Sequence, residues 1–178
     1  MHPRLFMYLL AASLVLTTES LSAQVSTGTP VRVRADLKLV TRQAGKIFAG
    51  RIVSIEAERT PASGQLNSVQ ITVQVEQGIR GARTGDVTSF REWAGLWSGG
   101  ARYRLGQRLV LFLYPLSSLG FTSPVGGSAG QLAIDRNGAV FLTSAQQQAI
   151  GIPTHESNQM IPVRDFAQAL RRLQEYEP

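Results

Sequence analysis

Between Ser68 and Gln77 the chain alternates without a fault. Val69, Ile71, Val73 and Val75 fall on one side, and Gln70, Thr72, Gln74 and Glu76 on the other. A strand turns successive side chains to opposite faces, so this run needs one packed face and one wet face. An antiparallel strand at the skin of a β-rich domain meets that need. Truncating Val73 should then open a cavity, while truncating Gln74 should be nearly neutral.

The remaining elements follow from the same kind of reading. KIFAGRIVSIEAE (Lys46 to Glu58) is β-branched and alternates at Val53, Ile55 and Ala57, with Gly50 marking a bulge or bend. DVTSFREW predicts a further strand. RLVLFLYP is apolar on both faces and belongs at the centre of the sheet. QLAIDRNGAVFL reads as a hairpin that sets Leu132 and Ile134 against Val140 and Leu142 across Asn137-Gly138. At the N-terminal side a short strand from Val31 leads to a helix of about nine residues starting at Asp36 and closed by Gly45. SAQQQAIGIPTHESNQM is polar and irregular. IPVRDFAQALRRL places Val163, Phe166, Ala167, Leu170 and Leu173 on one face, which predicts a C-terminal helix over about 163–175. The sum is a mainly β fold: a small antiparallel barrel or sandwich of five to six strands, with a short N-terminal helix and a C-terminal one. No linker-like stretch divides it.

MHPRLFMYLLAASLVLTTESLSA has a positive start at Arg4, an apolar run from Leu5 to Leu16 and a small residue at Ala23. That is the layout of a secretory signal over residues 1–23, with Gln24 as the first mature residue. The apolar run is shorter than the ~20 residues that span a bilayer. The expectation is an exported protein, periplasmic or extracellular, without a membrane span after cleavage. Residues 24–35 would then be a mobile lead-in, and 36–178 a single domain of ordinary size.

Export normally favours disulfides, yet the chain holds no cysteine, so packing alone must hold it. Thiol catalysis and thiolate metal sites are excluded with it. His155 is the only histidine beyond the predicted signal, so the sequence offers no two- or three-histidine metal site and calls for no cofactor. The net charge is +6, and all the basic residues except Lys38 and Lys46 are arginine. Such a surface could draw polyanions, among which export makes cellular nucleic acid an unsuitable partner.

Among residues able to do chemistry, Gly126-Gly127-Ser128-Ala129-Gly130 matches the nucleophile-elbow pattern, with Asp135 and His155 following in hydrolase order. An elbow needs a strand before the serine and a helix after it, whereas here a turn precedes Ser128 and a hairpin follows. Glu56, Glu58, Glu76, Asp86 and Glu92 could include a glycosidase pair, but strand ends and polar faces are where solvated carboxylates ordinarily sit. The one cluster that suggests recognition is a glycine-rich stretch with Trp93 and Trp97, flanked by Arg91, Arg102, Tyr103 and Arg104. Exposed Trp, Tyr and Arg dominate interface hot spots and stack well on sugars. The alternative is that both indoles plug one end of a barrel.

The order of "KIFAGRIVSIE", "SVQITVQVEQGIRGARTGDVTSF" and "YRLGQRLVLFLYP" resembles the netrin-like domain, the family of the tissue inhibitors of metalloproteinases and many bacterial secreted proteins. Ile79-Arg80-Gly81, Gly85-Asp86-Val87 and Gly106 to Tyr114 stand at its motif positions, over Asp36 to about Tyr114. The resemblance implies a five-stranded barrel of the OB type. The inhibitors' N-terminal cysteine and the family's disulfides have no counterpart here, so their zinc-directed mechanism does not transfer. A non-enzymatic binding module is expected, working through the tryptophan–arginine cluster on an exported protein or an anionic cell-envelope glycan. The alternatives are a protease inhibitor or a chaperone-like partner of a co-exported enzyme, presenting a loop such as Phe121 to Gly130, or a serine hydrolase through Ser128.

Overall fold

A computed structural model of the chain describes residues 36–59, 64, 66–154 and 159–175. The predicted signal, the lead-in with its short strand, and His155 lie outside them. Five strands make one antiparallel sheet in the order β3-β2-β1-β4-β5. They are β1 (Lys46–Arg59), β2 (Leu66–Arg80), β3 (Val87–Trp93), β4 (Arg108–Leu113) and β5 (Gln131–Ala133). A second, two-stranded sheet pairs β6 (Ala139–Phe141) with β7 (Met160–Pro162), and the described residues also form the helices α1 (Leu37–Gln43), α2 (Ser144–Ala149) and α3 (Val163–Glu175).

The sheet has a core on each side. On one, Phe48 and Ile52 of β1 meet the alternating apolar set of β2, together with Phe90, Leu109, Leu111 and Leu113. On the other, Ile47, Ala49, Val110 and Phe112 pack against Leu37 and Val40 of α1 and Phe166, Ala169 and Leu170 of α3. This is why LVLFL is apolar at every position: each side chain from Leu109 to Leu113 enters one core or the other, and only Arg108 at the start of β4 stays outside them. The α3 boundaries and its buried residues agree with the helical periodicity. α1 begins where Asp36 caps it, the carboxylate accepting from the backbone N–H groups of Lys38 (3.0 Å) and Leu39 (3.4 Å). It ends against β2, where Arg80 donates to the carbonyls of Thr41 (2.9 Å) and Ala44 (2.7 Å).

β1 departs from its expected alternation. The pairing with β2 slips at Ala49/Gly50, as the glycine suggested, and again between Ile52 and Ser54. Val53 sits in the second slip, 46 % exposed, so it leaves the apolar row that Ile55 rejoins. Two other expectations need correction. The segment around Asn137-Gly138 does turn, with Asp135 N–H donating to Ala139 O at 2.9 Å, but its arms belong to different sheets and share only the bridge Ile134–Val140. The stretch read as irregular holds α2, and its last residue, Met160, opens β7.

Residues 121–125 carry no full strand, yet they tie two strands together. Thr122 N–H donates to Arg91 O of β3 at 2.9 Å, while Tyr114 N–H donates to Ser123 O at 3.0 Å and Val125 N–H to Phe112 O of β4 at 2.8 Å.

Candidate functional site

β3 distributes the predicted site residues over two faces. Phe90 and Glu92 point into the sheet's core, 5 % and 0 % exposed. Arg91 and Trp93 alternate with them and lie opposite Gln70 and Ser68 of β2, on the polar face. The strand ends at Trp93, and a single 3-10 turn, Ala94–Trp97, carries the second indole back to Glu92.

Glu92 is the centre of the inner group. The Tyr103 hydroxyl donates to its Oε1 at 2.8 Å and the Trp97 indole N–H to its Oε2 at 2.9 Å. Arg102 Nε stands 2.9 Å from the same Oε2, close enough for an ion pair but not aligned as a hydrogen bond. Burial pushes the Glu92 carboxyl above its ordinary value, and the Tyr103 donor, the Arg102 charge and the Trp97 donor offset part of that rise. The Tyr103 hydroxyl is raised as well, first by burial and then by the charge of Glu92. The Tyr103 ring packs edge-on to Phe90 at 6.0 Å and against Trp97 at 5.8 Å. Tyr103 is 2 % exposed, so it offers no surface to a partner. Trp97, Arg102 and Tyr103 together hold the loop between β3 and β4 onto the core.

The outer group is different. Trp93 is 62 % exposed. Its ring lies over Gly95, where any Cβ would collide with it. The neighbouring Arg91 is held on three sides. Its guanidinium sits 5.2 Å above the Phe121 ring, Nη1 is 3.6 Å from Glu58 Oε2, and Nη2 donates to Leu119 O at 3.3 Å. Ser68 donates to Glu58 Oε2. The result is an exposed indole beside a braced guanidinium, on a sheet face lined by Gln70, Thr72 and Ser89, with Ser68 buried beneath it. Arg104 belongs to neither group: it is exposed, and its backbone N–H donates to Gln107 Oε1 at 3.0 Å.

Reading the sequence missed Glu92 as an anchor and Glu58 and Phe121 as supports. Glu92 had a signal, since it shares its strand face with Phe90 and therefore points inward. Glu58 and Phe121 had none, because their partners are distant in the chain. Ser128 lies exposed in a 3-10 turn, Gly127–Gly130, that opens on two left-handed glycines, Gly126 (φ 60) and Gly127 (φ 66). Neither a strand before Ser128 nor an α-helix after it forms the nucleophile elbow. Asp135 Oδ1 accepts from Ala139 N–H at 2.8 Å and holds its own turn. Among the described residues no group of three or more His, Cys, Asp or Glu comes together, and no helix is long and apolar enough to cross a membrane. Comparison with protein-family models gives no match for the chain, and comparison with curated proteins gives none.

Proposed function

We propose that the chain is an exported, non-enzymatic binding module, and that Trp93 and Arg91 hold an anionic cell-envelope glycan. The carrying observation is the pair itself: an exposed indole 62 % open to solvent, beside a guanidinium immobilised by Phe121 and Glu58. Preorganised Arg and Trp lose little freedom on binding, which favours affinity. A sugar ring can stack on the indole while its acid group meets the arginine, and the flanking hydroxyl and amide side chains suit hydroxyl-rich ligands. The elements also fit the OB-like barrel of the netrin-like resemblance, since residues 121–125 bridge β3 to β4 and could close the sheet on itself. In such barrels, loops and one sheet face commonly bind oligosaccharides. The inhibitor reading gains less support, because Phe121 to Val125 is engaged by backbone bonds on both sides.

Retention on immobilised alginate, a polyuronate, tests the reading. The wild-type chain should be retained and released by salt, Trp93→Ala and Arg91→Ala should each pass through, and Trp97→Phe should be retained. Equal elution of all four would refute it. Turnover in a hydrolase-substrate screen that vanishes in Ser128→Ala would refute the non-enzymatic part.

A further inference from the structure

At the other end of the same sheet, three arginines line a cleft of about 360 Å³ together with Gly106, Ile134 and Asp135. They come from separate elements: Arg51 from β1, Arg108 from β4 and Arg136 from the turn after β5. Arg51 and Arg108 are direct cross-strand partners, so their side chains share a face. Like charges so placed repel, and Glu76 from β2 sits between them. Arg108 Nε and Nη2 grip its carboxylate at 2.9 and 2.6 Å, and Arg108 Nη1 donates to Asp135 O at 3.3 Å. Glu76 thereby fixes Arg108 and is used up in doing so.

Arg51 is only loosely attached, its Nη2 3.5 Å from Glu76 Oε1 and its side chain 51 % exposed. Arg136 is exposed and makes no hydrogen bond or ion pair among the described residues. The Asp135 carboxylate is turned away into the Ala139 N–H. The cleft therefore presents the unpartnered Arg136 fork and the loosely paired Arg51 fork around a third that is rigidly held, with one positive charge in excess over Glu76 and Asp135. Guanidinium forks match the oxygens of a phosphate, sulfate or carboxylate, and such pairs are the strong, charge-assisted hydrogen bonds.

We infer that this cleft is an oxyanion-binding site in which Arg51 and Arg136 grip the anion and Arg108 positions it. It is separate from Trp93. Arg51 pairs across the sheet with Gln74 and Trp93 with Ser68, and these two ends of the β2 run are roughly 20 Å apart at a rise of ~3.3 Å per residue.

Calorimetric titration of the full chain with sodium phosphate, sodium sulfate and an alginate oligosaccharide tests the site. Saturable binding of the inorganic anions is expected, weakened about tenfold or more in Arg51→Ala/Arg136→Ala, as the loss of two charge-assisted contacts implies. Arg136→Lys should restore part of the affinity, because it keeps the charge and loses the fork. Trp93→Ala should leave inorganic anion binding unchanged, so failure here and failure of the glycan reading are distinguishable. Tighter binding of the oligosaccharide than of sulfate, lost in the same double variant, would place the anion on a glycan. Equal affinity would mark a free anion as the ligand. The inference is overturned if no inorganic anion saturates the wild type, or if the double variant binds as well as the wild type.

Discussion

The Tyr103 hydroxyl lies 2.8 Å from Glu92 Oε1, fully inside the core, joining the β3–β4 loop to the strand that precedes it. Removing that hydroxyl leaves a buried carboxylate oxygen without its donor. Tyr103→Phe should therefore lose about 1–3 kcal/mol, the penalty for an unsatisfied buried polar group. Denaturant unfolding measures it, and an unchanged midpoint would show that solvent reaches Glu92.

The same pair gives the fold a definite pH response. Glu92 has a folded pKa above its ordinary 4.5, so the folded chain holds that proton more tightly than the unfolded chain does. Its stabilising contribution is complete below pH 4.5 and is lost as pH rises through the raised value. Glu92→Gln cannot titrate, so the stability of the wild type relative to this variant should fall over that window. Tyr103 adds a second effect with the same sign. Its folded pKa is raised above 10.0, so stability is lost as pH climbs past 10.0. Tyr103→Phe should be less sensitive to alkali than the wild type. Thermal melts across the two pH ranges check both slopes.

The two tryptophans should separate cleanly. Trp93→Ala should leave the melting temperature nearly unchanged, because the ring is mostly in solvent. Trp97→Ala removes the donor to Glu92 and part of the packing on Tyr103, and should cost about 1–3 kcal/mol. Iodide should quench the emission of Trp93 far more than that of Trp97. Single-tryptophan variants resolve the two signals.

Gly50 stands where β1 passes between Val75 of β2 and Leu109 of β4. A Cβ there would meet Gln74 O at 2.5 Å and Val73 Cγ1 at 2.7 Å, contacts that need the backbone to move. Gly50→Ala should lose about 1–3 kcal/mol, as overpacking does. Chemical denaturation of the variant measures this, and a neutral result would mean that the slip in register is soft.

Much of this was legible because periodicity reports burial. The β2 alternation, the two-faced β4 and the α3 stripe each follow from which residues must leave water. Gln74 shows the limit. It faces outward as expected, yet its side-chain amide donates to the carbonyls of Gly85 (2.9 Å) and Asp86 (3.3 Å), so Gln74→Ala should not be neutral. Strands of three residues, such as β6 and β7, are too short to show a period. α2 reads as irregular because its six residues of Ser, Ala and Gln carry no apolar stripe, and that reading passes over the reciprocal cap between Thr143 and Gln146 that opens it. Of the site residues, the sequence brought Trp93 and Trp97 together by proximity, and β3 then separated them by alternation. Which indole met solvent depended on Glu92 being drawn inward, which the alternation with Phe90 signals, and on the distant Tyr103 that receives it there, which no local pattern shows.

β4 has its odd and even side chains in different cores, with Leu111 touching one and Phe112 the other, against Phe166 at 6.4 Å. The helices therefore cannot peel away and leave an intact sheet behind, because the strand they abandon is the one that also fills the opposite side. Unfolding should pass in a single step, with the backbone amides of β1 and β4 exchanging with deuterium only when the whole domain opens. A protein without a single disulfide cross-link would in this way resist the partial openings through which proteases reach their substrates.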